Sequence, residues 1–296
     1  VDFIRYYWIA HHGPTTEREL GDQIQDNVLD ERPAFDLVVS LDSFATDFAA
    51  LNMPREHPSL SKLNRNTRNC IYTITKELGV KQIMPLMLAI LRYFDPKEAD
   101  KAFSLCLSWT VRFLIVGGGG GGVLDRHYGL RAKEISNQDI LTADKLAKQM
   151  SSIVHNDRAF KEAFGIASVR QIKFARYYLR AIDLYLAQDP YPQFLPNEDT
   201  LSVNAEHILP IRPSNDWTIP FDVVASYGKR LGNIALLRAQ DNVKVGNKSF
   251  AEKKQVCKTS PFKTTQWIAE YDHWGPEEIT DRQKRLAELA PKVWPI

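Results

Sequence analysis

Apolar residues recur along this chain with a helical period up to about residue 190. Residues 81–94, KQIMPLMLAILRYF, are apolar nearly all round, the pattern of a helix buried on every side. DPKEADKAFSLCLSWTVRFLIV (95–116) opens on Asp95-Pro96, a side-chain cap followed by a proline in the first turn, where no N–H is needed. RQIKFARYYLRAIDLYLA (170–187) sets Ile172, Ala175, Leu179, Ile182 and Leu186 at three- and four-residue steps, one stripe facing a core. The opening DFIRYYWIAHHG also reads as a helix. The pattern breaks at QDPYPQFLPNEDT (188–200), where Pro190, Pro192 and Pro196 forbid a continuing helix. Beyond it, LSVNAEHILPI (201–211) is strand-like, and turn-rich and mixed segments follow. The expected architecture is mainly α: a large helical domain over 1–190, then a small α+β domain over 191–296.

With 296 residues the chain has room for one large domain or two ordinary ones. Its net charge of +2 argues for no polyanionic partner, so any such argument has to be local. Cys70, Cys106 and Cys257 are too far apart for a CxxC metal site and too few for a disulfide framework. Reduced, buried thiols in a cytoplasmic protein are expected. The most apolar run, Phe103 to Val116, is too short for a bilayer and contains Arg112. No signal-peptide pattern is visible, and the start at Val1 within a helix suggests part of a longer protein. Gly117 to Gly122 is a run of six glycines, but a phosphate-binding loop would continue with Gly-Lys-Ser/Thr, and Val123, Leu124 and Asp125 follow instead. A connection between helices is expected there.

One polar pair is out of place. Glu206-His207 sits between Val203 on one side and Ile208, Leu209 and Ile211 on the other. Buried polar groups cost free energy unless they are paired or used. Taken singly, such a histidine is most simply a satisfied core residue, and Asn233 and Asn242 are turn residues. His11, His12, His57, His127 and His155 have no partner spacing, and His273 in YDHW reads as a packed corner beside Trp274.

Four ordered segments change that reading: AEHILP (205–210), YGKRLGNIALL (227–237), DNVKVGNKSFAEKK (241–254) and WGPEEITDRQKRLAELA (274–290). Together they resemble the HNH (His-Me finger, ββα-metal) nuclease module that closes GmrSD-type restriction proteins, with the phosphorothioate-linked Ssp-type nucleases as close relatives. The resemblance implies a DNA endonuclease dependent on Mg²⁺, or on Mn²⁺ in its place. It implies a catalytic His-Asn-Asn set. His207 is the general base, Glu206 and Asn242 are oxygen ligands of the cation, and Asn233 bonds the backbone so that the strand bearing His207 is held. Gly232 would permit the tight turn beside it. The residue types suit the chemistry. A neutral imidazole accepts a proton from water, and a few hard oxygen ligands suit a cation that keeps several waters. The products implied are 5′-phosphate and 3′-hydroxyl ends. Neighbours on a strand face opposite sides, so Glu206 and His207 serve one phosphate only if the strand twists or ends there. Pro210 favours an early end.

Local charge points the same way. From 229 to 263 there are nine cations against Asp241 and Glu252, a net +7. Lys253, in the Phe-x-x-Lys word of SFAEKK, is the preferred phosphate contact, with Lys244, Lys248 and Arg230 beside it. Asn247 reads as a turn residue within reach of phosphate. No helix carries a base-reading pattern, so little sequence specificity is expected. FIRYYWIAHHG and ERELGDQIQD resemble the middle region of the same proteins, which lies between a nucleotide-hydrolysing N-terminal domain with a DGQQR-like motif and the nuclease. That motif is missing here, so the resemblance implies the hydrolysing domain as a partner absent from this chain. The whole system would defend bacteria against phage. The competing reading is a non-catalytic helical scaffold that binds DNA or a protein, and RNA as substrate stays open.

Overall fold

The computed structural model describes residues 2–120, 122–187, 202–214 and 217–296. They form two compact units, Val1–His155 and Asn156–Pro295. The division therefore follows His155, whereas the sequence places it near 190. The proline-rich stretch 188–200 lies outside the described residues. The helix before it packs against the strands and the last helices of the second unit, and its apolar seam of Ala175, Leu179 and Ile182 is wholly buried. Ile172, at the start of the expected stripe, is exposed.

The first unit is helical among its described residues: α1 (Asp2–His12), α2 (Glu17–Asn27), α3 (Glu31–Asn52), α4 (Arg65–Tyr72), α5 (Met84–Tyr93), α6 (Pro96–Val116), α7 (Val123–Ser136) and α8 (Ala143–Met150). Helix α5 is central, packed against α1, α3, α6 and α7, which is why every residue from Met84 to Leu91 is buried. Asp95 caps α6 as its position predicts, its carboxylate accepting the Lys97 and Glu98 N–H groups at 2.9 and 3.1 Å. The glycine run links α6 to α7, and Gly117, Gly118 and Gly122 take positive φ there. None of the described helices is long and apolar enough to cross a membrane.

The second unit comprises α9 (Asp157–Phe164), α10 (Ile172–Ala187), β1 (Val203–His207), α11 (Phe221–Tyr227), β2 (Ile234–Arg238), α12 (Ala239–Val245), α13 (Phe250–Lys258), α14 (Lys263–Gln266) and α15 (Pro276–Val293). The strands pair antiparallel, Val203 opposite Arg238 and His207 opposite Ile234. Ile234 to Leu237 are all buried, the mark of a strand covered on both faces. Its free edge is closed by one side chain. The Thr265 hydroxyl donates to the Leu236 carbonyl at 2.8 Å and accepts the Leu236 N–H at 3.1 Å, standing in for a third strand. A core of Ile208, Leu209, Trp217, Val224, Ala235, Cys257, Ile268, Trp274 and Ile279 lies beneath the polar segment considered next. The three cysteines are free, Cys106 and Cys257 buried and Cys70 half-buried.

Candidate active site

Strand β1 stops at His207, and the chain then turns Ile208 and Leu209 into the core. Two side chains hold this bend. The first is Asn233, at the end of a short 3₁₀ turn (Leu231–Asn233) before β2 and fully buried. Its Oδ1 accepts the Leu209 N–H at 2.8 Å and the Trp274 indole N–H at 2.9 Å. Its Nδ2 donates to the Leu209 and Gly228 carbonyls, both at 2.9 Å. The Ile208 N–H donates to the Asn233 carbonyl at 2.9 Å, extending the ladder one step past the strand.

The turn bearing Asn233 is itself clamped from α15 by two buried polar residues to which the sequence reading assigned no role. Arg282 Nη1 donates to the Gly232 and Ile234 carbonyls at 2.5 and 2.9 Å, and its Nε donates to the Thr264 carbonyl at 3.1 Å. Gln283 Oε1 accepts the Gly232 N–H at 3.1 Å, while its Nε2 donates to the Phe164 and Ala167 carbonyls. Complete burial lowers the Arg282 guanidinium to about 10. The signal was present: Arg282 and Gln283 occupy the inward phase of α15 with Ile279, Leu286 and Ala290. Gly232 is required for a different reason than a turn conformation. A Cβ there would lie 2.1 Å from the Ile279 carbonyl oxygen, so the glycine is what lets α15 approach.

The second side chain holding the bend is Lys253, from α13. It is fully buried, and its ammonium donates to the His207 carbonyl at 2.8 Å and pairs with Glu206 Oε1 at 3.6 Å. An exposed phosphate contact, as the Phe-x-x-Lys word suggested, is not its position. The capping box of Ser249 and Glu252 starts α13, and Phe250, Lys253 and Cys257 then face inward at helical spacing. Arg230 departs from expectation in the same way. Its guanidinium is half-buried and donates to Gln283 Oε1 at 3.2 Å and the Gly165 carbonyl at 3.5 Å. Lys244 and Lys248 do face solvent, 66% and 54% exposed, each in a loose ion pair of 3.6 Å. Asn247 is a loop tie, its Nδ2 donating to the Arg212 carbonyl at 3.1 Å. His273 pairs with Glu278 at 2.7 Å on the surface.

Glu206 and His207 are both half-buried. Burial raises the Glu206 carboxyl above its ordinary range, against the opposing pull of the Lys253 ammonium. Burial lowers the His207 imidazole, reinforced by the charges of Lys253 and Lys229. Asn242 lies on α12, the short helix directly after β2, which packs against both strands. Its Oδ1 is buried and has no hydrogen-bond partner. Among the described residues no three His, Cys, Asp or Glu side chains gather as a metal cluster. The structure thus brings Glu206, His207 and Lys253 together, ties Asn233 to the bend, and sets an unpaired amide oxygen on the neighbouring helix.

Two antiparallel strands followed by a short helix, with an acid-imidazole pair at the first strand's end, define a small α+β polar site attached to a helical protein. Residues 154–289 match the family described as GmrSD restriction endonucleases, C-terminal domain. Over these residues the chain is similar to the C-terminal domain of GmrSD restriction endonucleases. No curated protein matches the chain.

Proposed function

We propose that the second unit is a metal-dependent DNA endonuclease of the HNH type, working in the bacterial cytoplasm within a modification-linked phage-defence system. A nucleotide-hydrolysing domain outside this chain would be its partner. His207 is the general base: burial favours its neutral form, and a neutral imidazole takes the proton of the attacking water. Glu206 and Asn242 would hold a Mg²⁺ ion. The observation that carries the reading is Asn242 Oδ1, a buried acceptor without a donor on the helix that packs against the strand bearing Glu206 and His207. Such an atom is costly unless something absent from the protein itself satisfies it, and a hard oxygen suits a hard cation. When bound, the cation supplies charge stabilisation at the phosphate and the departing oxygen. Asn233 is the positioning member of the set, since its four hydrogen bonds are all spent within the protein.

The test is nicking of supercoiled plasmid by the purified chain, with Mg²⁺ or Mn²⁺ and with chelator. The parent is expected to cut only with metal, and His207→Ala to lose roughly a hundredfold or more. Asn242→Ala is expected to require more metal. A parent that binds DNA but never cuts it with either metal would favour the scaffold reading instead, and a His207→Ala variant that cuts like the parent would remove the base.

A further inference from the structure

We infer that Lys253 is a positioning residue of this site, an internal cation that fixes the end of β1 and touches no DNA. Three observations carry it. The side chain is fully buried, although it belongs to the most cationic part of the chain. Its ammonium is hydrogen-bonded to the His207 carbonyl and paired with Glu206, so one group holds two adjacent residues of the candidate site. Its helix is itself anchored to the same site. Phe250 stacks on Trp274 with ring centroids 5.6 Å apart, and Trp274 donates to Asn233.

The residues at the bend are thereby held in succession. Lys253 takes the carbonyl of His207, the Asn233 backbone takes the N–H of Ile208, and the Asn233 amide takes both backbone groups of Leu209. A lysine that neutralises a phosphate releases counterions and so contributes to the salt dependence of DNA binding. An ammonium already occupied inside the protein does not. The inference rests on the proposed nuclease only for its turnover arm.

The experiment compares Lys253→Met with the parent in three measurements. The first is duplex DNA binding across a salt series in chelator, where no cleavage occurs. The two plots of log affinity against log salt are expected to be parallel, while Lys244→Ala/Lys248→Ala lowers the slope by about 1.8. The second is amide hydrogen exchange of Ile208 and Leu209, expected at least tenfold faster in Lys253→Met, with exchange in α5 and α6 unchanged. The third is plasmid nicking, in which kcat is expected to fall at least tenfold with KM for DNA unchanged. If Lys253→Met does not fold, Lys253→Arg serves. A DNA-facing residue would keep the parental kcat with arginine, whereas an internal one loses kcat at constant slope. A slope about 0.9 lower for Lys253→Met, or unchanged exchange at Ile208 and Leu209, would overturn the inference. A parent without nicking activity would overturn the nuclease reading alone, because the binding and exchange measurements do not require cleavage.

Discussion

Asn233 and Leu209 are joined twice. The Leu209 N–H donates to Asn233 Oδ1 at 2.8 Å, and Asn233 Nδ2 donates back to the Leu209 carbonyl at 2.9 Å. A side-chain amide has the same donor and acceptor as a peptide group, so this pair is one rung of a sheet built without a strand. The remaining lone pair and N–H are taken by Trp274 and Gly228, so nothing on the amide is left unsatisfied. The sequence expectation that this amide bonds the backbone near His207 describes the same geometry.

Asn233→Asp is nearly isosteric and keeps the acceptor, but it turns two donors into a carboxylate facing two carbonyl oxygens. With the residue fully buried, a loss of roughly 3–5 kcal/mol is expected. Scanning calorimetry should show the second unit melting about 10 °C lower. A melting temperature within about 2 °C of the parent would contradict the brace.

Gly232→Ala tests the close approach of α15. The added methyl would meet the Ile279 carbonyl oxygen at 2.1 Å and Gln283 Cβ at 2.8 Å, and the first of these is backbone that cannot swing away. Overpacking of this kind costs about 1–3 kcal/mol or more. Chemical denaturation should show a lower midpoint with the same slope. Gly246→Ala has open space around the new methyl and is expected to cost only the strain of its positive φ.

Asp183 provides a pH-dependent term. It is buried on α10, where its carboxylate accepts the Thr264 N–H at 3.0 Å and the Thr264 hydroxyl at 2.5 Å. Burial raises its pKa to about 6 from the ordinary 3.8, with Thr264 and Arg282 opposing the shift. A raised folded-state pKa means that the folded protein binds the extra proton, so this contribution is fully present below pH 3.8 and is lost as pH rises through about 6. Asp183→Asn removes the charge and keeps an acceptor and a donor for Thr264. Its melting temperature relative to the parent should therefore rise between pH 4.5 and pH 7.5, by an amount worth about 2 kcal/mol. A flat difference across that range would show that the carboxyl is not perturbed.

The exposed and internal cations should separate cleanly in a binding assay. Lys244→Ala and Lys248→Ala are each expected to lower the salt slope of DNA binding by about 0.9 without changing stability. Arg230→Ala should do the opposite, leaving the slope alone and lowering the melting temperature, because its guanidinium is bonded to Gln283 and Gly165. If Arg230→Ala shifts the slope and not the melting temperature, the assignment is reversed.

Much of this was legible before any coordinates. The all-round apolar run of α5, the Asp95-Pro96 start of α6 and a strand that ends near Pro210 are local patterns, and local patterns are written in the order of residues. Other features were harder to see. In SFAEKK two lysines stand side by side, equally placed about the stripe of Phe250 and Cys257, so helical phase does not choose between them and only the packing of α13 buries Lys253. The division after His155 was hidden by a helix whose amphipathic stripe states that it has a partner but not which partner.

By itself the sequence determined the helical first part, the strand that carries Glu206 and His207, the order of the polar groups along the chain and the likeness of its C-terminal part to the matched family. Only the tertiary structure decided what those groups face: that Arg282 and Gln283 reach back some fifty residues to hold the Gly232 turn, that Lys253 and Arg230 spend their charge inside, and that Asn242 is left with an unpaired oxygen. The physical reason is that helix and strand follow from hydrogen bonds and periodicities within a few residues. The partner of a buried charge is set by whichever distant element closes over it, and desolvation then leaves that charge only the contacts it finds there.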